Sequence, residues 1–277
     1  MPIYVKKSGS WVSPRVYIKS SSIWKEPNQI YVKDGGIWKP IYTIVNITSS
    51  TQNVNLYTLA GNPTEPVTII VNISDGVTIG SSSSTPALTS GSLNASSVLH
   101  LNVGTGAYVV GKGGTGGNRV SGSSGAGNVK PGTVGSLAFY TRIQTYLTNN
   151  GTIAGGGGGG GGGGVTNASG QAYDDYTGAG GGGAGNTVGS GGTGAGPASN
   201  SGTLTTGGAG IIYYSNPGSG EIQYGSSGGT GGNLGLAGAN GAPYQTLNAG
   251  GAAGNAIDGS SYTTILTAGS ILGGQVN

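Results

Sequence analysis

Few residues of this chain could carry out acid–base or metal chemistry. Its 277 residues include one histidine, eight Asp and Glu, and no cysteine. His100 lies at an alternating position of a predicted strand, with no second His or Cys to share a metal or activate a thiol. Asp174 and Asp175 are sequence neighbours, so on an extended segment they face opposite ways and make a poor acid–base pair. We therefore predict no enzymatic activity, no metal and no cofactor.

Residues 111–116, with the sequence GKGGTG, have the spacing of a dinucleotide-binding fingerprint. That fingerprint requires a following helix within a βαβ unit, and no helical periodicity surrounds it here. In a chain with 63 glycines the match is a coincidence. The net charge of +3 is also weak evidence for nucleic-acid binding, because the basic residues near the N-terminus are interleaved with acids. We predict no nucleic-acid partner.

Tyrosine-rich segments are the better candidates for function. Fifteen tyrosines against one phenylalanine give most aromatic side chains a polar tip, which suits a wet recognition surface. Several of these tyrosines lie with acids or Asn in short segments between glycine blocks. The candidate receptor-binding residues are Tyr173, Asp174, Asp175, Tyr176, Tyr213, Tyr214, Asn216, Glu221, Tyr224 and Tyr244. The alternative is that these tyrosines only cover the ends of a glycine-rich bundle.

The glycine blocks must position these segments. Residues 155–164 are ten consecutive glycines, and interrupted blocks follow as far as residue 254. An isolated run of this kind predicts a flexible linker. Recurrent blocks interrupted by small residues favour a bundle of extended polyglycine II helices with three residues per turn, whose backbone groups bond to neighbouring helices. Disorder remains the alternative.

Four stretches share a second pattern, in which an alternating strand, a turn and a short second strand lead to a glycine. They are residues 67–80, 98–111, 137–155 and 262–273. One long strand is predicted from Leu137 to Leu147. The repeat predicts hairpins or solenoid coils that stack around a continuous core. Because the last copy follows the glycine blocks, we expect the chain to return to the sheet.

Residues 3–40 contain a threefold repeat of an aliphatic-Tyr-aliphatic-Lys strand, a turn and a Trp. The pattern predicts three tandem β-hairpins. A single hairpin is not stable alone, so the tryptophans must pack against each other or against a partner. The charge is unevenly distributed: residues 1–40 carry +5, residues 41–142 carry +2 and residues 143–277 carry −4.

This arrangement resembles the distal tail-fibre adhesins of T-even-like bacteriophages. The resemblance is carried by Asn150–Ala154 leading into the ten glycines, by the later glycine blocks with their loops, and by the closing residues 271–274. It implies a receptor-binding tip on the virion tail fibre. The partners it implies are a bacterial outer-membrane protein or lipopolysaccharide, and a trimeric tail-fibre shaft or other tail protein.

The expected fold is mostly β and irregular with essentially no α-helix. It comprises a hairpin attachment domain (1–42), a solenoid-like strand repeat (43–150) and a polyglycine II receptor-binding domain closed by a C-terminal strand (151–277). We expect the hairpins to form a pseudo-threefold plug on the shaft. The residues predicted to attach the fibre are Trp11, Trp24, Trp38, Tyr4, Tyr17 and Tyr31.

The N-terminus lacks an apolar signal-peptide core and no stretch of 18 apolar residues occurs, so we expect synthesis in the host cytoplasm and no membrane insertion. The alternative function is a purely structural or ice-binding polyglycine protein. Such a protein should present a flat face of small residues without bulky loops.

Overall fold

The fold is seen in a computed structural model, which describes residues 5–7, 10–12, 18–20, 22–25, 29–34, 36–118, 130–163, 178–193, 198–212, 227–242 and 248–277. These residues contain twenty short strands, a four-residue helix α1 (Leu56–Leu59) and a turn of 3-10 helix (Ser260–Tyr262). The strands are β1 (Val5–Lys7), β2 (Ser10–Val12), β3 (Ile18–Ser20), β4 (Ile23–Lys25), β5 (Gln29–Asp34), β6 (Ile37–Ile47), β7 (Thr51–Gln52), β8 (Val54–Asn55), β9 (Thr68–Ile73), β10 (Thr78–Gly80), β11 (Leu88–Thr89), β12 (Val98–Val103), β13 (Tyr108–Val110), β14 (Phe139–Tyr140), β15 (Gln144–Asn149), β16 (Thr152–Ala154), β17 (Ile257–Asp258), β18 (Thr263–Thr267), β19 (Ser270–Leu272) and β20 (Gln275–Val276). The predicted strand-rich fold with almost no helix is confirmed.

Three antiparallel pairs stand at the N-terminus: β1 with β2, β3 with β4, and β5 with β6. Each pair sets a lysine opposite a tryptophan, namely Lys6 and Trp11, Lys19 and Trp24, and Lys33 and Trp38. The third pair differs from the other two, because β6 continues to Ile47 and its second half pairs with β9. The third hairpin is thus built onto the sheet that follows it.

All strand pairings among the described residues are parallel apart from the three N-terminal antiparallel pairs, of which β5 with β6 extends to Thr43, and one isolated bridge between Ile212 and Ser227. The parallel pairings form three sheets, with the orders β6-β9-β12-β15-β18, β7-β10-β13-β16-β19 and β8-β11-β14-β17-β20. Because successive strands of the chain fall in the three sheets in turn, the chain winds into five stacked coils. Of the two arrangements that the repeat allowed, hairpins or coils, the structure shows solenoid coils.

The core of the solenoid is made by alternate residues that point inward. In β9 and β12 every second residue is buried, so that Ile69 and Leu99, which are register partners, are both fully buried. The outward positions carry polar rows. Asn72 donates from Nδ2 to Asn46 Oδ1 at 2.8 Å, and Asn102 donates to Asn72 Oδ1 at 2.9 Å. Stacked identical coils therefore bury apolar residues inside and pair polar ones outside.

The single strand predicted from Leu137 to Leu147 is wrong, because the chain turns a corner between β14 and β15. Thr141 is fully buried at this corner, where its Oγ1 lies 3.0 Å from Thr145 Oγ1 and donates to the Ile143 carbonyl at 3.2 Å. The alternation of buried residues continues through the corner since both strands and the corner face the same core. The sequence pattern therefore does not reveal the break.

The solenoid and the glycine-rich unit are interleaved rather than consecutive. Residues 111–137 leave the third coil between β13 and β14, and residues 155–256 leave the fourth coil between β16 and β17. The units thus differ from the boundaries 43–150 and 151–277 expected from the sequence. The return to the sheet after the glycine blocks does occur, as a complete fifth coil of β18, β19 and β20.

Ten extended segments make up the described part of the glycine-rich unit, which we call the bundle. They are s1 (111–118), s2 (130–137), s3 (155–163), s4 (178–185), s5 (188–193), s6 (198–203), s7 (206–212), s8 (227–233), s9 (236–242) and s10 (248–255). Segments s1 and s3 continue directly from β13 and β16, and s2 and s10 lead into β14 and β17.

The hydrogen bonds of s3 recur every three residues. Gly156, Gly159 and Gly162 donate to s2, at Ser136, Thr133 and Lys130. Gly157, Gly160 and Gly163 donate to s4. Gly158 and Gly161 donate to s9, and Gly155 donates to the end of β19. Its carbonyls accept from s1, s8 and s10. A helix with three residues per turn directs every third residue to the same neighbour, which is the pattern seen here. Six neighbouring segments surround s3.

The bundle has three layers. Segment s4 also has six neighbours, namely s1, s3, s5, s6, s7 and s8. The remaining segments form a ring around s3 and s4, which gives an upper layer of s5, s1 and s2, a middle layer of s6, s4, s3 and s10, and a lower layer of s7, s8 and s9. The number and order of the segments, which the uneven glycine blocks did not indicate, follow from this network.

Glycine is required where these backbones meet. A Cβ on Gly159 would lie 2.0 Å from the carbonyl oxygen of Thr115, and one on Gly160 would lie 2.0 Å from that of Gly229. Non-glycine side chains of the outer segments can instead accept hydrogen bonds from the backbone. Ser136 Oγ and Thr133 Oγ1 accept from the backbone N–H groups of Lys112 and Thr115, both at 2.6 Å. Hydroxyl side chains of s2 thus satisfy backbone donors of the neighbouring segment s1.

Candidate recognition surface at the far end of the bundle

The end of the bundle nearest the solenoid, which we call the near end, is fixed by a second small core. Val110 and Ala154 at the strand ends are fully buried against Ala184 and Leu234 of the bundle. The backbone continues the sheet across this junction, since Gly111 N donates to the Ala154 carbonyl at 3.0 Å, just beyond the pair Val110 and Ala154. The bundle therefore projects from the solenoid as a continuation of its sheets.

All the turns between segments that the structure describes lie at this near end. They are residues 185–188, 203–206 and 233–236. Thr203 N donates to the Thr206 carbonyl at 2.7 Å, and Leu236 N donates to the Asn233 carbonyl at 3.0 Å. Gly235, with φ of +70°, donates to the Gly155 carbonyl at 2.8 Å. The near end is thus closed by short, hydrogen-bonded turns.

The opposite end of the bundle, the far end, gathers the described residues that flank five undescribed segments. Those segments are 119–129, 164–177, 194–197, 213–226 and 243–247. Their flanks are hydrogen-bonded in pairs: Lys130 N to the Asn118 carbonyl at 3.2 Å, Gly163 N to that of Gly178 at 2.8 Å, Ser199 N to that of Gly192 at 3.1 Å, Gly228 N to that of Ile211 at 3.1 Å, and Gly241 N to that of Asn248 at 3.0 Å. Each segment therefore leaves and rejoins the bundle at the far end.

Hydrogen bonds between residues of different flanking pairs show that all these flanks lie at the same end of the bundle. Thr193 N donates to Asn118 Oδ1 at 3.0 Å. Ala242 N donates to the Ser227 carbonyl at 2.8 Å, and Gly180 N donates to the Gly117 carbonyl at 3.0 Å. The far end is a single platform on which five chain segments begin and end.

All ten predicted receptor-binding residues fall in these segments and so lie outside the described residues. They are Tyr173, Asp174, Asp175, Tyr176, Tyr213, Tyr214, Asn216, Glu221, Tyr224 and Tyr244. The described flanks show that the segments containing these ten residues begin and end at the far end of the bundle. Sequence reasoning missed two further segments, 119–129 and 194–197, because neither contains tyrosine. The sequence feature that could have identified these two segments is their position between glycine-rich segments.

The predicted fibre-attachment residues are only partly described. Trp11, Trp24 and Trp38 lie in β2, β4 and β6, and Tyr31 in β5 pairs with Pro40. Tyr4 and Tyr17 lie outside the described residues. The backbone pairing sets each Trp opposite a Lys on the neighbouring strand, so every hairpin carries the same cross-strand pair.

A salt bridge ties the fourth coil to the point where the chain re-enters the solenoid. Arg142 donates from Nη2 to Asp258 Oδ1 at 2.7 Å, and its Nη1 donates to the Thr141 carbonyl at 2.9 Å. Its guanidinium lies 4.2 Å from the centre of the Tyr140 ring. The hydrogen bond to Asp258 raises the pKa of Arg142 above its usual value. Sequence reasoning did not find this pair, whose members are 116 positions apart.

Among the described residues, His100 and the GKGGTG motif have structural roles. His100 is half-buried on the outer face of its sheet and stacks on Tyr146, with ring centres 5.1 Å apart. Burial lowers the pKa of His100. The GKGGTG motif lies in s1, where Gly114 donates to s3 and Gly111 donates to Ala154 at the end of β16, rather than before a helix. No cluster of three or more metal-ligating His, Cys, Asp or Glu occurs in the described residues.

The described ranges contain no helix that is long and apolar enough to cross a membrane.

Comparison with known proteins agrees with this architecture. The structure matches that of the gp37-gp38 adhesin tip complex of the bacteriophage S16 long tail fibre, with a TM-score of 0.57 and 24% sequence identity over 86% of this chain and 83% of that one. This likeness shows the fold. No curated protein matches the chain. A family model described as phage tail fibre adhesin Gp38 matches residues 42–276, which is most of the chain. The chain therefore belongs to the Gp38 family of phage tail fibre adhesins.

Proposed function

We propose that this adhesin binds a receptor on the host-cell surface through the segments at the far end of the bundle. One observation carries the proposal: the five segments begin and end on the same platform, at the opposite end of the bundle from the solenoid. A rigid scaffold that gathers several loops at one end is the usual arrangement of a protein binding site. The hydrogen-bonded layers of s1 to s10 supply the scaffold.

The composition of these segments supports recognition. They contain six of the fifteen tyrosines, and three of the four acids that follow residue 142. Tyrosine buries a large amphipathic surface with little loss of side-chain freedom, and Ser, Gly and Asn add adaptable hydrogen bonds. We propose that the receptor is an outer-membrane protein or lipopolysaccharide, and that the tyrosines named above supply the binding hot spots.

The hairpins of residues 1–42 are proposed to attach the adhesin to the fibre. Three hairpins with the same Lys–Trp cross-strand pair could present three similar surfaces to a trimeric shaft. The charge of +5 on residues 1–40 would steer this end towards an acidic partner. The comparison structure contains a second fibre protein, gp37, beside gp38. One copy of this chain on three shaft chains is the stoichiometry that we propose.

Measuring the mass of the purified protein tests the proposed attachment to the fibre. A monomer that loses fibre binding when Trp11, Trp24 and Trp38 are replaced by Ala would support it. A stable homotrimer of the isolated chain would refute the plug.

Binding without catalysis is the role that we propose, because the carboxylates of Asp258 and Asp75, which the structure describes, make structural contacts. A fibre-borne depolymerase would need paired carboxylates at its cleavage site. In the described part of the solenoid and bundle, Asp258 is paired with Arg142, and Asp75 Oδ1 accepts from Thr105 N at 2.7 Å.

The receptor is identified by binding to whole cells. The purified chain should bind wild-type host cells and lose binding to a mutant that lacks either one outer-membrane protein or one lipopolysaccharide sugar. Mutants that lack other surface components serve as controls. Equal binding to every mutant and to unrelated bacteria would contradict a specific surface receptor.

A further inference from the structure

One asparagine side chain links two outer segments of the bundle at the far end. Asn118 is the last described residue of s1, and Thr193 is the last described residue of s5. Thr193 N donates to Asn118 Oδ1 at 3.0 Å. The Asn118 carbonyl accepts from Lys130 N, at the start of s2, at 3.2 Å. Asn118 therefore holds together three points at which segments 119–129 and 194–197 leave or rejoin the bundle.

This side chain continues a ladder of backbone hydrogen bonds between s1 and s5. The backbone of s1 donates to carbonyls of s5 at an interval of three residues, from Gly113 and from Gly116, both at 2.9 Å. At the end of s5, Thr193 N has no backbone acceptor among the described residues, and its partner is Asn118 Oδ1. The side chain of Asn118 is thus the last described link between the two segments.

The near end contains the same arrangement around a different asparagine. Asn233 Oδ1 accepts from Gly207 N of s7 at 3.0 Å, and the Asn233 carbonyl accepts from Leu236 N at 3.0 Å. Asn118 and Asn233 are both exposed. The two side chains therefore make the same kind of link between neighbouring segments at opposite ends of the bundle. Only Asn118 does so where undescribed segments leave the bundle.

The corner of the far end around Asn118 differs chemically from the rest of that end. Segments 119–129 and 194–197 contain no tyrosine, and residues 111–137 contain three basic residues and no acid. One of the basic residues, Lys130, is exposed beside Asn118. The other three undescribed segments at the far end contain six tyrosines and three acids. The corner therefore offers a receptor a basic charge that the tyrosine-rich segments lack.

We propose that Asn118 is a positioning residue of the recognition surface. Its Oδ1 fixes the relative position of the chain ends from which segments 119–129 and 194–197 emerge, so that both segments meet the receptor as one unit. The proposal rests on receptor binding at the far end. Loops that are held in place before binding lose less conformational entropy when they bind, and the difference appears as affinity. Loss of the link should therefore weaken binding although the bundle remains folded.

Affinities of three variants of the purified full chain for host cells test this role. Asn118→Ala removes the acceptor and should weaken binding about fivefold or more. Asn233→Ala removes the equivalent acceptor at the near end and should bind as the wild type does. Asn118→Asp keeps an oxygen for Thr193 N but loses the amide donor, so its affinity should lie within about twofold of the wild type.

Thermal unfolding separates positioning from stability. Both alanine variants lose one exposed hydrogen bond of 3.0 Å, so their melting temperatures should be equal. A melting temperature lowered in Asn118→Ala alone would assign its loss of binding to unfolding and overturn the proposal. Equal affinities of the two alanine variants, or no recovery in Asn118→Asp, would also overturn it.

Tyrosine variants of the far end, measured in the same assay, keep the two claims apart. If at least one of Tyr173→Ala, Tyr176→Ala, Tyr213→Ala and Tyr214→Ala loses binding while Asn118→Ala binds as the wild type does, the role of Asn118 is contradicted and recognition at the far end stands. Full binding by all four tyrosine variants would instead contradict recognition through these segments.

Discussion

Arg142 and Asp258 form a salt bridge of 2.7 Å between the corner that begins the fourth coil and the strand at which the chain returns from the bundle. The whole excursion 155–256 lies between these two residues in sequence. The pair therefore holds the entry and the exit of the largest insertion at one place on the solenoid. Its partial exposure, 37% for the Arg142 side chain and 25% for that of Asp258, limits its energy.

The contribution of this pair can be measured by a double-mutant cycle. Arg142→Gln and Asp258→Asn should show a coupling free energy of about 0.5–1 kcal/mol, the range for partly exposed ion pairs. The coupling should decrease at high salt because solvent ions screen it. Denaturant unfolding at low and high salt provides the measurement. No coupling at low salt would mean that the salt bridge does not stabilise the junction.

The centre of the bundle should tolerate no side chain. In Gly159→Ala the new methyl would meet the Thr115 carbonyl oxygen at 2.0 Å, and backbones on all sides prevent relaxation. We expect a loss of about 3 kcal/mol, the upper end of the range for overpacked cores. Ala239→Val, which adds two carbons at an exposed position of s9, should change the stability little. Thermal unfolding compares the two, and an unchanged melting temperature for Gly159→Ala would indicate a linker rather than a packed segment.

Much of this fold is predictable because its repeats are visible in the sequence. The spacing of Lys and Trp indicates the hairpins, and the alternation in β9, β12 and β15 indicates coils that stack around a core. The sequence pattern did not predict the first coil, because its strands β7 and β8 are separated by a single residue, Asn53, whose φ is +52°. A turn this short leaves no glycine or proline signal.

The arrangement of the bundle is not predictable in the same way. Identical glycines do not specify which segment bonds to which, so the central place of s3 and s4 appears only in the hydrogen-bond network. The sequence pattern assigns s1 and s2 to the strand repeat because they lie between two repeat copies, before the run of ten glycines. At the far end, sequence indicated tyrosine-rich segments but could not show that all five segments share one platform.

A buried hydroxyl without a partner offers a test of the solenoid core. Ser90 is 1% exposed and its Oγ has no hydrogen-bond partner, whereas the Thr141 hydroxyl bonds to Thr145 and to Ile143. Ser90→Ala should therefore leave the stability unchanged or raise it by up to about 1 kcal/mol, while Thr141→Val should lower it by about 1–3 kcal/mol. Urea unfolding distinguishes them. A clear loss of stability in Ser90→Ala would show that its hydroxyl is bonded.

The half-buried His100 predicts a pH dependence of stability. Because burial lowers its pKa in the folded state, the unfolded chain binds a proton more readily. The stability should be complete above the unfolded pKa of about 6.5 and should fall as the pH decreases below that value. His100→Phe keeps an aromatic ring beside Tyr146 and should remove this part of the dependence. Unfolding midpoints measured from about pH 5 to about pH 8 provide the test, and identical profiles for the two proteins would contradict it.

Host binding by variants of the two ends of the bundle tests the central claim most directly. Tyr173→Ala, Tyr176→Ala, Tyr213→Ala and Tyr214→Ala alter segments that begin and end at the far end, whereas Thr205→Ala alters a turn at the near end. Receptor binding through the far end predicts that at least one tyrosine variant loses about 2 kcal/mol or more of binding free energy. It also predicts that Thr205→Ala binds as the wild type does and that all five proteins melt at the wild-type temperature. Full binding to host cells by all four tyrosine variants would contradict the account.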